Sequence, residues 1–389
     1  MKFSPLVNRI AGEGADAWLI HYAARAAQER GEDVIVLSIG DPDLDTPAAA
    51  LERGIERLRA RDVRYTPAAG RHAVRAAIAA AHTQRTGQPV SAANAIFLAG
   101  AQNALFTASL CIAGAGDEVL ALEPLYPSYP ATIRASGATL VRVPARPEQG
   151  FRIDLEALQA AITPRTRAFF FATPNNPSGV ILNHAELARI GDLAQRHDLW
   201  LVADEVYAGL APRGCVPGLA ARLPDRVVTV SSLSKSHSMP GWRAGWLVGP
   251  EPLVKHAESL AMCMLFGLPG FIQEAAVAAL ASSEAAEARV RDLCNARRDF
   301  LVEALRGVPG IRCSVPEAGM FALIDVRGTG LTGNEFMRGL FEAERVSVID
   351  GGAFGQGTGG FVRLCFATSE AELGAAAVRI RRYANSLAR

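Results

Sequence analysis

Short apolar runs alternate with amphipathic segments along the middle of the chain. Apolar runs bounded by turn residues are typical of buried strands, whereas apolar residues spaced three and four apart are typical of helices. The alternation predicts an α/β fold with a large, doubly wound and mostly parallel sheet. The predicted strands are 95–98, 118–122, 139–143, 168–172, 200–203, 227–230 and 244–248. The predicted helices are 71–86, 101–112, 129–136, 154–161 and 184–197.

The pattern changes after a long helical stretch predicted over 271–305. Strand-like runs and two amphipathic segments follow it, which favours a smaller α+β domain. The strands there are predicted at 320–326, 346–350 and 361–367, and the helices at 333–344 and 370–387. We therefore predict a large domain over 46–285 and a small domain formed by 1–45 and 286–389.

Composition and charge narrow the class of ligand. The 389 residues are 50% hydrophobic and carry 40 basic and 39 acidic side chains, for a net charge of +1. This balance gives no field that would attract nucleic acid or an anionic membrane, so a small-molecule ligand is expected. Six cysteines without a CxxC pair indicate buried, reduced thiols. With no long uncharged apolar segment, we expect a soluble cytoplasmic protein.

Lys235 is the most informative candidate. It lies in SSLSKSHSMPGWRAGW, directly after an apolar run that predicts a buried strand. Desolvation lowers the pKa of a lysine, and a deprotonated amine can attack a carbonyl to form a Schiff base. A solvated lysine on a turn would explain the same residues.

Other polar residues follow predicted strands. Asp204 ends the run before Tyr207, and Asn176 lies in the turn TPNNPSG. Polar side chains at the carboxyl ends of parallel strands face the crevice in which α/β proteins bind ligands. A helix-capping aspartate and an ordinary turn are the alternatives.

Three further positions are suited to anions or flat ligands. Gly100 leads from a strand into a helix, whose free amides could bind a phosphate. Tyr126 follows another strand, where its ring could stack on a ligand or pack in the core. Arg363 interrupts an apolar strand, and a buried arginine needs an anion, either a ligand carboxylate or a structural partner.

The order of these motifs carries a resemblance that spans nearly the whole chain. The motifs are GDPDLDTP, RYTPAAG, AGAQNALF, TPNNPSG, ADEVY, SLSKSHSMPGWRAGW and RLCFATS. In this set the chain resembles the class I pyridoxal-phosphate aminotransferases of fold type I. The resemblance implies that the large domain binds pyridoxal 5'-phosphate and that no metal is needed.

The resemblance implies a role for each residue around the cofactor ring. Lys235 would hold the cofactor as a Schiff base and carry a proton at the substrate Cα, with Asp204 and Tyr207 as its catalytic partners. Asp204 would pair with the ring nitrogen. Asn176 and Tyr207 would hydrogen-bond the ring oxygen, and Tyr126 would stack on the ring.

The same resemblance implies the residues that bind the phosphate and the substrate. Arg363 would bind the substrate carboxylate, Asn176 would also contact the substrate, and Gly40 would lie over it. The phosphate ligands would be Ala101, Gln102, Ser232, Ser234 and Arg243.

A homodimer is also implied, because active sites in this family are shared between subunits. Tyr65 of YTPAAG would reach the phosphate of the neighbouring subunit. Pro240 departs from the threonine or alanine expected beside Gly241, so we expect one turn hydrogen bond to be missing.

Within the family, the segments 9–43 and 259–276 are similar to bacterial arginine–pyruvate transaminases. Those enzymes are expected to carry an acid where this chain has Leu19, so an apolar Leu19 favours a neutral or aromatic substrate side chain. Glu13 or Asp16 could supply the acid instead. Trp18, Leu19 and Phe266 are candidates for specificity or simply for packing.

The implied reaction moves an amino group from an L-amino acid to a 2-oxo acid, pyruvate or 2-oxoglutarate, in two half-reactions. The same cofactor chemistry also serves lyases and enzymes that form carbon–carbon bonds, which remain the alternative. A non-catalytic regulator is less favoured, since no DNA-binding segment precedes the first strand motif.

Overall fold

The structure is a computed structural model that describes residues 1–11, 18–212, 214–215 and 218–387. Strands in these residues are β1 (Ile35–Val36), β2 (Ala95–Ala99), β3 (Glu118–Glu123), β4 (Thr139–Pro144), β5 (Thr166–Ala172), β6 (Trp200–Asp204), β7 (Val227–Ser232), β8 (Ala244–Val248), β9 (Arg312–Cys313), β10 (Phe321–Asp325), β11 (Val346–Ser347), β12 (Ile349–Asp350) and β13 (Phe361–Cys365).

The helices of the same residues begin near the N-terminus and continue to the last described residue. They are α1 (Pro5–Ile10), α2 (Leu19–Glu29), α3 (Ala48–Arg59), α4 (His72–Thr86), α5 (Gly100–Ile112), α6 (Tyr129–Ala135), α7 (Leu155–Ala161), α8 (His184–Arg196), α9 (Leu219–Arg222), α10 (Glu251–Met264), α11 (Gly270–Ala281), α12 (Ser283–Ala304), α13 (Gly333–Glu344) and α14 (Glu370–Leu387). None of these helices is long and apolar enough to cross a membrane.

The large sheet has seven strands in the order β2, β8, β7, β6, β5, β3, β4. Strands β3 to β7 run parallel to one another, and β8 runs antiparallel to both β2 and β7. Each of the seven predicted strands is present, with its ends within two residues of the prediction. The predicted α/β class and mostly parallel sheet are therefore confirmed.

Strand β5 shows why the sheet is covered on both faces. Phe169 and Phe171 pack in one hydrophobic core with Ile190 of α8. Phe170, between them, packs in the opposite core with Leu105 of α5. Successive side chains of a strand point to opposite faces, so a strand buried on both faces reads as a continuous apolar run.

Reciprocal caps fix where two of the helices begin. Asn183 accepts a hydrogen bond from the Glu186 amide, and the Glu186 carboxylate accepts one from the Asn183 amide. Thr332 and Glu335 form the same pair at α13. Both pairs satisfy amides that the first turn of a helix leaves without partners.

Two smaller sheets lie beside the large one. Strands β12, β13, β10 and β9 form an antiparallel sheet, and β1 pairs in parallel with β11. The strand predicted over 346–350 is therefore wrong as one element, since β11 and β12 belong to different sheets. The helical stretch predicted over 271–305 consists of two helices: Ser282 separates α11 from α12, and its hydroxyl donates to the Ala279 carbonyl.

The large sheet lies within 95–248, and the smaller sheets lie outside 46–285. The boundaries of the two domains stay a prediction. The sequence analysis did not predict helices α1, α2, α3, α9 and α10. Cys215 and Cys263 are exposed, so the expectation that every thiol is buried is wrong.

Candidate active site

The carboxyl ends of β5, β6 and β7 open into a cavity of about 440 Å³. Residues of the small antiparallel sheet, Phe321 of β10 and Arg363 of β13, close the opposite side. The predicted site residues in the described part of the chain line this cavity, with the exception of Tyr65, Leu19, Phe266 and Gly100. The fold thus gathers residues that lie far apart in the sequence into one site.

Lys235 lies on the turn that follows β7. Leu233 and Met239 are fully buried on either side of it, and the Met239 amide donates to the Leu233 carbonyl at 3.2 Å. This anchoring directs the lysine side chain into the cavity, where its amine donates to the Gly40 carbonyl. Burial lowers the pKa of Lys235, and the nearby charge of Arg363 acts in the same direction. Both effects favour the neutral, nucleophilic amine.

Asp204 is the last residue of β6 and is buried. Its Oδ2 accepts from the Tyr129 hydroxyl at 2.8 Å, and its Oδ1 accepts from the Val206 amide at 3.1 Å. Burial raises the pKa of Asp204, and these two hydrogen bonds oppose that rise. No cation pairs with Asp204 among the described residues. Such a carboxylate is suited to a ligand that brings its own positive charge.

Asn176 links the ring-binding part of the cavity to Arg363. Its amide nitrogen lies 3.5 Å from the Tyr207 hydroxyl, and its Oδ1 accepts from Arg363 Nη1 at 3.2 Å. Tyr207 is itself buried and packs edge-on against Phe321, with the ring centroids 5.9 Å apart. The amide therefore lies between a phenol and a guanidinium.

Arg363 is only 1% exposed, yet no carboxylate pairs with it among the described residues. Its Nη2 donates to the Ser38 carbonyl at 2.6 Å, and its Nε has no partner. The guanidinium lies 4.1 Å from the Phe321 ring centroid and 5.0 Å from that of Phe354. A buried cation held by aromatic faces and neutral oxygens is a binding site for an anion, and its planar fork matches a carboxylate.

Two glycines allow Arg243 to approach the start of α5. Gly100 has a φ of +81°, and a Cβ there would lie 2.4 Å from Arg243 Nη2. Gly245 lets β8 pass close to the same turn, because a Cβ added at Gly245 would lie only 2.4 Å from the Gly100 carbonyl carbon. Ala101 and Gln102 of the first turn line the cavity together with Arg243, and helix-start amides beside a guanidinium suit a phosphate.

Ser232 and Ser234 also line the cavity. Arg243 is oriented by the Pro240 carbonyl at 2.9 Å from Nη1 and by the Ala99 carbonyl at 3.1 Å from Nη2. Pro240 is the first residue of a short turn, a position that suits the fixed φ of proline. Pro240 also lines the cavity. Its carbonyl thus has a function that the sequence did not predict.

Some predicted residues lie elsewhere. Leu19 is 51% exposed and Tyr65 is 86% exposed in the single chain, and their roles stay predictions. Glu13 and Asp16 lie outside the described residues. Conversely, several polar or aromatic residues in or directly behind the cavity lining were not named by the sequence analysis. They include Ser38, Asp41, Tyr129 and Phe321.

Comparison with known proteins identifies the family. Residues 32–380 match the family described as Aminotransferase class I and II. The chain belongs to this family. It is 45% identical over 370 residues to the arginine–pyruvate transaminase AruH of Pseudomonas aeruginosa, covering 94% of this chain and 93% of that protein. An aspartate aminotransferase of Geobacillus stearothermophilus is 31% identical, with 97% and 98% covered.

Solved structures of aminotransferases share the fold. The Thermus thermophilus aspartate aminotransferase with maleate has a TM-score of 0.93 at 31% identity, covering 98% of this chain and 100% of that chain. The aromatic aminotransferase of Pyrococcus horikoshii has a TM-score of 0.88 at 30% identity, covering 93% and 99%. The chain is thus a pyridoxal-phosphate-dependent aminotransferase, as the sequence predicted, and its fold is fold type I.

The site of this aminotransferase fits the cofactor on its own geometry. A phosphate suits the end with Arg243 and the start of α5, and a protonated ring nitrogen suits the buried Asp204. Lys235 lies between these ends with its pKa lowered by burial. Arg363 remains for the carboxylate that every amino acid and 2-oxo acid carries.

Proposed function

We propose that this aminotransferase moves the amino group of a neutral or cationic L-amino acid to pyruvate. The observation that carries this proposal is the set of charges around the cavity. Among the described lining residues the cations are Lys235, Arg243 and Arg363, and the acids are Asp41 and Asp204.

Each of those cations already has a function in the proposed site. Lys235 and Arg243 bind the cofactor, and Arg363 binds the carboxylate at the substrate Cα. A second carboxylate, on an aspartate or glutamate side chain or on 2-oxoglutarate, would find no free cation in this lining and would meet Asp41. An unpaired buried charge is costly. Pyruvate lacks that second carboxylate.

Asp41 also supplies the acid that a cationic donor needs. It lines the cavity, and it raises the pKa of Lys235 through its negative charge, which places it near the reacting amine. Leu19 lies outside the cavity lining of the single chain, and its role in specificity stays a prediction. The name of the Pseudomonas relative, an arginine–pyruvate transaminase, supports the same donor and acceptor.

When bound, pyridoxal phosphate supplies an aldehyde that takes up the amino group and a ring that withdraws electrons from the substrate Cα. Lys235 holds the cofactor between turnovers and moves the proton at the substrate Cα once its amine is released. Asp204 keeps the proton on the ring nitrogen, and Tyr129 holds that carboxylate in place. Asn176 and Tyr207 hydrogen-bond the ring oxygen.

The remaining lining residues orient the reactants. Tyr126 would cover one face of the ring, and Trp18 and Gly40, which line the cavity, would border the substrate. Arg363 fixes the substrate carboxylate so that the Cα–H bond faces Lys235. The phosphate is held by hydroxyls, the first amides of α5 and a guanidinium, from Ser232, Ser234, Ala101, Gln102 and Arg243.

We further propose a homodimer with shared active sites. Tyr65 contacts Phe266 with ring centroids 5.1 Å apart, and both rings are exposed in the single chain. Nearby apolar side chains in α3 and the following loop are exposed as well, which is typical of a surface that a second copy buries. The exposed residues are Leu51, Ile55, Leu58 and Val63. Localisation in the cytoplasm stays a prediction.

A donor screen tests the substrate assignment. Arginine, lysine, alanine, leucine, phenylalanine, aspartate and glutamate are offered with pyruvate or 2-oxoglutarate, and oxo-acid formation is measured. Arginine, lysine or a neutral donor with pyruvate is expected to give the highest kcat/KM. Asp41→Asn should lower kcat/KM for cationic donors by about tenfold and leave alanine unchanged. A preference for aspartate or glutamate would contradict the proposal.

A chemical label tests the residue assigned to the cofactor. Borohydride reduction of the enzyme with pyridoxal phosphate, followed by peptide mapping, should place the label on Lys235. Lys235→Ala should show no label and no half-reaction. Label on another lysine would remove the central assignment while leaving the family unchanged.

A further inference from the structure

A buried imidazole and two buried hydroxyls lie behind the Arg363 guanidinium. Ser38 Oγ lies 2.9 Å from His21 Nδ1 and 2.9 Å from Ser347 Oγ. The carbonyl of the same Ser38 accepts from Arg363 Nη2 at 2.6 Å. Ser38 and Ser347 are fully buried, and His21 is 8% exposed. These three residues do not line the cavity, so they do not touch the substrate there.

Ser38 is held on its other side by the small sheets. The Leu37 amide donates to the Ser347 carbonyl at 2.9 Å, and the Cys365 amide donates to the Leu37 carbonyl at 2.8 Å. His21 completes this frame from helix α2. The Ser38 peptide is therefore fixed from three directions before its carbonyl meets Arg363.

The rigidity of the Ser38 peptide is important because few hydrogen-bonding groups fix Arg363. Its hydrogen bonds go to one carbonyl, that of Ser38, and to one amide oxygen, that of Asn176. Its Nε has no partner in the described part of the chain. A bidentate bond to a carboxylate requires both parallel N–H groups to be aimed correctly. A shift of the Ser38 carbonyl would turn the guanidinium away from that alignment.

We propose that His21 is a positioning residue for the substrate carboxylate: it holds Ser38, and the Ser38 carbonyl aligns Arg363. The inference rests on the proposed function, in which Arg363 binds the α-carboxylate. Since amino acids and 2-oxo acids share this carboxylate, His21 serves both half-reactions. It has no part in the proton transfer at Lys235.

The charge of His21 is consistent with this role. Burial lowers the pKa of His21, and the positive charges of Arg25 and Arg363 lower it further. Among the described residues, Arg25 and Arg363 are the charged groups that act on the imidazole. The ring is therefore neutral at neutral pH, and its protonation in acid would add a positive charge beside Arg363.

Steady-state kinetics of His21→Ala, Ser38→Ala and the double variant of the holoenzyme test the proposal. Each single variant should raise the KM of the donor and of pyruvate by about tenfold, the value of one hydrogen bond of roughly 1.4 kcal/mol. The kcat and the affinity for pyridoxal phosphate should change little. The double variant should resemble the single ones, because both changes release the same peptide.

Gln28→Ala is the matched control, since Gln28 lies on the same helix and donates to the Val34 carbonyl without contacting Ser38. It should leave both KM values unchanged. An equal rise in KM for Gln28→Ala would show that any disturbance of the packing of α2 raises KM. Fully additive effects of the two single variants would show that His21 and Ser38 act separately. Either result overturns the proposal. His21→Asn, which keeps a polar group, replaces His21→Ala if the latter does not fold.

Two further measurements separate this inference from the proposed function. Arg363→Ala must raise the KM of donor and pyruvate; if it does not, the carboxylate assignment fails regardless of His21. The wild-type KM should rise as the pH falls and His21 becomes protonated, and His21→Asn should lack that rise. The same pH profile in both proteins would contradict the role of His21.

Discussion

The Tyr129 hydroxyl donates a 2.8 Å hydrogen bond to Asp204 Oδ2 inside the cofactor cavity. Both residues are buried, and the tyrosine packs edge-on against Phe170, with ring centroids 6.4 Å apart. The large-sheet core thereby fixes the orientation of the carboxylate that faces the cofactor ring. A residue without direct cofactor chemistry thus sets the geometry of one that has it.

Tyr129→Phe tests this relationship. The hydrogen bond lowers the pKa of Asp204, so its loss should raise that pKa further and weaken the pairing with the ring nitrogen. We expect the affinity for pyridoxal phosphate to fall about fivefold, near 1 kcal/mol. Absorbance titration measures it, with Tyr383→Phe in α14 as the control. Unchanged affinity would show that the Val206 amide alone orients Asp204.

Gly100→Ala should affect stability and phosphate binding together. At a φ of +81° an alanine is strained by roughly 1–2 kcal/mol, and its Cβ would displace Arg243 Nη2. The melting temperature of the apoenzyme should fall, and the affinity for the cofactor should fall about tenfold. Gly114→Ala is the control, because its Cβ would have no neighbour within 4 Å. Equal effects of both substitutions would exclude a specific role for the Gly100 contact.

Tyr65→Phe tests the shared active site. If Tyr65 reaches the phosphate of the neighbouring subunit, removing its hydroxyl should weaken cofactor binding about fivefold to tenfold without lowering the melting temperature. Its side chain is 86% exposed in the single chain, so little packing is lost. Tyr22→Phe, 65% exposed, is the control. A cofactor titration that matches the wild type would remove this role.

Glu205 predicts a pH dependence of stability. Its carboxyl is buried, and burial raises its pKa to about 7 while Arg85 opposes the rise. The unfolded chain loses this proton near the ordinary value of 4.5, so the free energy of unfolding should decrease as the pH rises from there to about 7.

Glu205→Gln should remove that decrease, which is on the order of 3 kcal/mol. In acid the free energies of unfolding of the variant and the wild type should be similar. Above neutral pH the variant should have the larger free energy of unfolding. Chemical unfolding across this pH range measures the difference. Glu156→Gln, an exposed glutamate of α7, is the control. An unchanged slope in Glu205→Gln would mean that this carboxyl stays ionised in the folded protein.

The sequence predicted those parts of the site that follow directly from strands. Lys235, Asp204 and Asn176 each come just after a recognisable apolar run, and parallel strands bring such positions to one edge. The order of the motifs along the chain then indicated the aminotransferase family. The same local patterns placed the seven strands of the large sheet to within two residues.

The residues that the sequence did not reveal depend on contacts between distant segments. Tyr129 lies 75 positions from Asp204, and only the packing of α6 against the sheet brings them together. Ser38 meets Arg363 across 325 positions. Ser282 divides the long helical stretch, and its hydroxyl donates to the Ala279 carbonyl of the preceding helix. The spacing of apolar residues carries no information about such a bond.

The three phenylalanines of β5 fill two separate cores in strict alternation. Inserting or deleting one residue within this strand would shift the side chains that follow by one position, so each of those rings would point to the opposite face of the sheet. The exact length of β5 is therefore under tighter constraint than the chemical identity of any single ring in it.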